Sequence, residues 1–87
     1  MKKKPYRNKF MTVPTFNELE VGDRIITRFM GTAEVTVAPY NADGTGLEGE
    51  VVKNECIQAR FVDGPWSTGK HKGVPLELIR QQILKKK

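Results

Sequence analysis

Val21-Gly22-Asp23-Arg24-Ile25, answered some fifty residues later by Gly73-Val74-Pro75-Leu76-Glu77-Leu78-Ile79, is the pair of stretches that decides the fold. Glycine ahead of an acidic residue lets the chain reverse, and an alternating apolar and polar run follows at once. The segments between the two stretches are short, β-rich and punctuated by glycine. The pair therefore brackets a mainly-β domain, read here as a small, closed, five-stranded β-barrel with short helical turns and basic, flexible termini.

Working outward, Thr15-Phe16-Asn17-Glu18 has the spacing of a capping box and predicts one helical turn ending by Val21-Gly22. Residues 23–30 form the first strand, with Ile25, Thr27 and Phe29 on one face and Arg24, Ile26 and Arg28 on the other. Gly31 breaks it, and Ala33, Val35 and Val37 alternate in a second strand that stops at Pro39-Tyr40. Residues 41–46 are turn chemistry and predict a hairpin tip. Residues 47–52 and 56–62 read as the third and fourth strands, separated by Lys53-Asn54-Glu55, with Leu47, Val51, Ile57, Ala59 and Phe61 inward. Asp63-Gly64-Pro65 is a strong turn that opens a loop over residues 66–72. After Gly73 two patterns compete: Val74, Leu76 and Leu78 alternate as a strand would, whereas Leu76, Ile79 and Ile83 have helical spacing with Pro75 at the first helical position. The favoured reading is a short strand at 71–74, then a helical turn from Pro75 into residues 80–83.

Eighty-seven residues make one domain with a small core. The organisation expected is a basic arm over 1–14, the barrel over 15–84 and a basic tail over 85–87. One cysteine, Cys56, allows no internal disulfide and suits a reducing, cytoplasmic compartment. Apolar runs are too short for a membrane span, and the lysine-rich start lacks the apolar stretch of a secretion signal, so no membrane partner is expected. The net charge of +5 is uneven: residues 1–10 carry +5, residues 80–87 carry +4, and residues 11–79 carry −4. Two basic ends flanking an acidic body point to a polyanion or an acidic protein surface as partner. The residues leave the oligomeric state open.

No catalytic pattern stands out. A zinc site takes about four ligands, and the chain has one cysteine and one histidine, so neither a metal nor another cofactor is expected. Cys56 lies in a strand pattern with no nucleophile motif around it. Asp23, Asp43, Asp63 and Glu77 fall at turns or strand ends, where capping explains them better than acid–base catalysis. The chain reads as a binding module and not an enzyme. Trp66 beside Lys70, His71 and Lys72 offers a stacking face next to positive charge, as single-stranded nucleic acid requires. The competing role for Trp66 is to cap the open end of the barrel. Arg24, Arg28 and Arg60 join that site if the outer faces of their strands lie together. Lys2, Lys3, Lys4, Arg7 and Lys9 supply an electrostatic arm with sequence-independent attraction for phosphate.

In its order of short strands, opened by Leu19-Glu20-Val21-Gly22-Asp23-Arg24-Ile25 and closed by Val74-Pro75-Leu76-Glu77-Leu78-Ile79, the chain resembles an SH3-like barrel over residues 16–83. Gly22-Asp23, Gly31 and the alternating run from Ala33 to Val37 are what KOW and Tudor-type barrels ask for. That resemblance implies a module that binds RNA, ribosomes, polymerase or chromatin components. Two other families look similar at the ends and depart in between. Plasmid-borne type II dihydrofolate reductase shares Gly22-Asp23-Arg24 but has Val-Gln-Ile-Tyr where this chain has Lys70-His71-Lys72-Gly73-Val74. The CAP-Gly domain is echoed by Gly64-Pro65-Trp66 and Gly73-Val74-Pro75-Leu76-Glu77-Leu78, without that family's Gly-Lys-Asn-Asp-Gly groove. Against nucleic acid as partner stands a protein-docking reading. Strand edges and a glycine-rich loop on an acidic body suit an accessory or host-directed factor, such as a phage encodes.

Overall fold

The computed structural model describes residues 11–28 and 30–87. Its first element is set by Thr12, whose hydroxyl accepts the Thr15 N–H at 3.4 Å and caps helix α1, Val13–Asn17. The cap therefore sits three residues earlier than the Thr15 capping box implied. Pro14 is the reason: in the first helical turn it removes only an N–H that has no partner there anyway. α1 and the turn after it bury Phe16 and Leu19.

Five strands follow: β1 Arg24–Thr27, β2 Thr32–Thr45, β3 Val51–Phe61, β4 Leu76–Ile79 and β5 Ile83–Lys86. They form one antiparallel sheet in the order β4-β3-β2-β1-β5, so the last strand returns to the first. Alternation puts Ile25, Ala33, Val35, Ile57, Ala59, Phe61, Leu78 and Ile83 on the concave side, where they close over Phe16, Leu19 and Met11. Register pairs Ala33 with Phe61, Val35 with Ala59, and Ile57 with Leu78, which fixes the facing of all three strands.

Several expectations are corrected. β2 does not stop at Pro39 but runs to Thr45, because register shifts between Val35 and Tyr40 bulge the strand and place the proline where no ladder N–H is needed. The hairpin turn lies at Gly46–Glu50, where Gly46 N–H donates to the Glu50 carbonyl at 2.8 Å, and not at residues 41–46. The expected third and fourth strands are one strand, β3. Lys53, Asn54 and Glu55 do not interrupt it, since they pair with Asp43, Ala42 and Asn41 in a solvated ribbon that has no core face to satisfy. Leu47 and Val51 consequently point to solvent, not inward.

The strand expected at 71–74 is absent; Gly69–His71 is a 3-10 turn and the last half of the sheet begins at Leu76. Pro75 precedes a strand instead of starting a helix, because Leu76 and Leu78 face Ala59 and Ile57 only with a two-residue repeat. A 3-10 turn does occupy Arg80–Gln82, and Ile83 beyond it belongs to β5.

The closed barrel is also corrected. β4 and β5 are the two ends of the strand order and do not pair with each other. Other groups take their edges: Met11 N–H donates to the Ile83 carbonyl at 2.8 Å, and the Gln82 carboxamide oxygen accepts the Ile79 N–H at 2.9 Å. The described fold thus begins at Met11, inside the segment assigned to the arm. Lys85 and Lys86, read as tail, are strand residues, and Lys87 N–H donates to the Arg24 carbonyl at 2.8 Å. Phe29 and the arm cations Lys2, Lys3, Lys4, Arg7 and Lys9 lie outside the described residues.

Gly64, at φ 87°, presses its α-carbon against the β1–β2 turn; a Cβ there would lie 2.6 Å from the Met30 carbonyl oxygen. Gly49 has a similar φ of 86° and open space around it. Replacing Gly49 by alanine is expected to cost about 1 kcal/mol of unfolding free energy, and Gly64→Ala about 2–4 kcal/mol, read as urea midpoints. Equal losses would mean that only the dihedral, and not the close approach, matters.

Candidate nucleic-acid interface

The loop after β3 is built by its own turns. Asp63 Oδ1 accepts the Thr32 N–H at 2.8 Å and anchors the loop to the start of β2. Pro65–Ser67 and Gly69–His71 are 3-10 turns, and the Ser67 hydroxyl donates to the Gly64 carbonyl at 2.7 Å. This brings Trp66 and His71 together, with ring centroids 4.4 Å apart and planes tilted by 54°. Trp66 also packs against the core together with Met30 and Leu76. Its ring is half-buried, wedged between the core and an imidazole, while Lys70 and Lys72 are exposed beside it. The capping role and the stacking role therefore meet in one residue, with the cap taking most of the ring.

Arg24, Arg28 and Arg60 do not assemble into that loop. Register sets Arg24, Glu34 and Arg60 in one row across β1, β2 and β3, on the convex face. Arg60 donates to Glu34 Oε1 from Nε at 3.2 Å and from Nη2 at 2.7 Å, so its charge is largely committed. Those two hydrogen bonds, with the charges of Arg60 and Arg24, hold the Glu34 carboxyl below the usual carboxylate range. Arg28 is half-buried at the β1–β2 turn, where its N–H donates to the Gln82 carbonyl at 2.9 Å.

A site that sequence reasoning missed lies at β5. Arg80 reaches two ways, donating from Nε to Glu55 Oε1 at 2.6 Å and from Nη1 to the Met11 carbonyl at 2.8 Å. With the Met11 to Ile83 hydrogen bond, this clasp holds Met11 beside the basic final strand. Lys85 and Lys87 are exposed there without an ion pair among the described residues, and Lys86 Nζ lies 3.4 Å from Asp23 Oδ2. Asp23 in turn accepts the Glu20 N–H at 2.9 Å, which together with Lys86 keeps its carboxyl below the usual range. A cleft of about 220 Å³ opens between Met11, Thr12, Thr15, Leu84, Lys85 and Lys86. The only sequence signal for this corner is Met11 and Ile83-Leu84, apolar residues standing next to basic runs.

Elsewhere the chemistry is quiet. Cys56 is buried opposite Tyr40 and Ile79 on the convex face, and burial pushes its thiol up, with the nearby Glu77 charge adding to the effect. That is the reverse of what a nucleophile needs, and His71 is turned to Trp66 instead. Among the described residues no group of three or more His, Cys, Asp or Glu is placed to hold a metal, and no helix is long and apolar enough to cross a membrane. Comparison with protein-family models, with curated proteins and with solved structures finds no match to this chain.

Asp23 and Glu34 both have folded-state pKa values below their unfolded ones, so the stability they contribute is complete above the ordinary carboxylate range and is lost as pH falls through the folded values. The thermal midpoint is expected to fall as pH drops below about 4. Glu34→Gln should shrink that fall while lowering the midpoint at neutral pH, as differential scanning calorimetry across the pH range would show.

Proposed function

We propose that this chain is a non-enzymatic module that binds nucleic acid, or a nucleic-acid-associated complex, through the basic corner at β5. The observation that supports the reading is the clasp of Met11 to Ile83 and Arg80, which holds the residue that follows the basic stretch 1–10 in sequence beside the lysines of β5. Residues 1–10 bring five cations and no acid, and residues 85–87 bring three lysines. Within the body Arg60 is paired with Glu34, Arg80 with Glu55 and Lys53 with Asp43, while Lys85 and Lys87 have no ion pair among the described residues. Positive charge of this kind at the two ends of the chain is what a phosphate backbone attracts, through counterion release and independent of base sequence.

The Trp66 loop is a second contact in this proposal. Lys70 and Lys72 supply charge and the exposed part of Trp66 a stacking surface, secondary because core packing uses most of the ring. The strand order, with a 3-10 turn ahead of the last strand, supports an SH3-like scaffold of the KOW or Tudor type, and the partners that such scaffolds imply agree with the charge argument. A single, buried cysteine supports a reducing, cytoplasmic setting.

The test is a titration with single-stranded and duplex DNA and RNA over a salt series, followed by fluorescence anisotropy of the labelled nucleic acid. Affinity should fall steeply with salt, and Lys85→Gln with Lys87→Gln should lower the log–log salt slope by about 2. Substitution is preferable to truncation, because residues 85–87 carry backbone hydrogen bonds of β5. Trp66→Ala should cost about 2 kcal/mol of stability and leave the salt slope nearly unchanged. Undetectable affinity at low salt would defeat the proposal.

A further inference from the structure

Past Tyr40 and Cys56, β2 and β3 continue as a two-stranded ribbon, pairing Asn41 with Glu55, Ala42 with Asn54, Asp43 with Lys53, Gly44 with Val52 and Thr45 with Val51. None of these residues reaches the core. A paired ribbon of this length holds its turn about 15 Å beyond its base, so the tip cannot fold back onto the same molecule's β5 corner. At the tip Leu47 is fully exposed at 105% and Val51 at 73%. Glu48 and Glu50 flank them, joined only by the Glu48 N–H donating to Glu50 Oε1 at 3.0 Å. Lower on the ribbon Asp43 and Glu55 are already matched by Lys53 and Arg80. The tip thus carries a bare aliphatic group next to two carboxylates that have no cationic partner among the described residues.

The β5 cleft has the opposite character. Its apolar lining is the half-buried Leu84 with the nearly buried Met11 behind it, and Thr12, Thr15 and the exposed Lys85 and Lys86 complete it. At about 220 Å³ it has room for one aliphatic side chain.

We propose that the ribbon tip of one copy docks in the β5 cleft of a second copy. Leu47 sits against Leu84, and Glu48 and Glu50 face Lys85 and Lys86. Burying the leucine supplies the apolar gain, and the two pairs of opposite charge set the orientation. A second copy is the occupant because both complementary patches belong to this chain and cannot meet within one molecule. The contact joins two different patches, so it either closes as a reciprocal pair or continues as a chain of copies. It goes beyond the nucleic-acid reading and uses the same lysines.

Sedimentation equilibrium of the full chain without nucleic acid is the test, from about 10 μM to about 1 mM protein in about 20 mM salt. The weight-average mass should rise across that range, toward twice the monomer mass for a closed pair and beyond it for a chain of copies, and return to the monomer value in about 500 mM salt. Leu47→Asn should stay monomeric, and so should Glu48→Lys with Glu50→Lys, both at sites remote from the core. Lys85→Glu with Lys86→Glu should also stay monomeric alone, and mixing it with the lysine-tip variant should restore association. A monomer at every concentration in low salt overturns the proposal, and so does association that Leu47→Asn and the lysine-tip variant leave unchanged. Either result leaves the nucleic-acid titration standing, because that experiment reads phosphate binding by a dilute monomer.

Discussion

A shortage of large apolar side chains governs this molecule. Phe16, Ile25, Val35, Ile57 and Ile83 are the bulk of what the fold can bury completely, and one sheet has to curl around them. A flat sheet would leave half of such a core in water, so the bulges in β2 between Val35 and Tyr40 are structural necessities that sharpen the bend. The same shortage explains why Met11 and α1 are drawn onto the open side and why Trp66 is half-spent on the core. The rest of β2 and β3 pairs beyond that core, and the two strands leave the body as a solvated ribbon on which Leu47 and Val51 stay exposed.

Charge is arranged with the same economy. Across the convex face and at the ribbon base, cations and carboxylates cancel in pairs: Arg60 with Glu34, Arg80 with Glu55, Lys53 with Asp43. Exposed pairs of this kind contribute little to stability, and their larger effect is to remove those charges from the field that a partner meets. Among the charges without such a pair are Glu48 and Glu50 at the ribbon tip, Lys85 and Lys87 at the β5 corner, and Lys70 and Lys72 on the loop beside Trp66.

Local chemistry made part of this legible. Ile25 and Thr27 alternate with Arg24 and Ile26, and Ile57, Ala59 and Phe61 keep a two-residue repeat; both runs are strands with those faces inward. Gly31 and Gly64 mark turns because each needs positive φ against a neighbouring backbone. The misreadings have a common cause. Pro39, Asp43-Gly44 and Lys53-Asn54-Glu55 are residues that end strands in a sheet with a buried face, and a solvated ribbon imposes no such face. Leu47 and Val51 were assigned inward by parity from a core that does not extend that far. For the site, the Trp66 loop was visible as a cluster of residue types, but its division between core and surface was not, since Met30 and Leu76 pack on it from distant positions.

What the sequence by itself determined is the class of the molecule: a small, mainly-β chain with glycine-marked turns and a net positive charge at each end of an acidic body. These are properties of short segments and of sums over residues, which do not depend on distant contacts. What only the tertiary structure decided is which segments meet. Met11 lies beside Ile83, Arg80 bridges Glu55 and the Met11 carbonyl, and the sheet remains open between β4 and β5. Such pairings follow from how a small core is covered, a competition among all the segments at once, so no single stretch encodes the corner where Met11 meets β5.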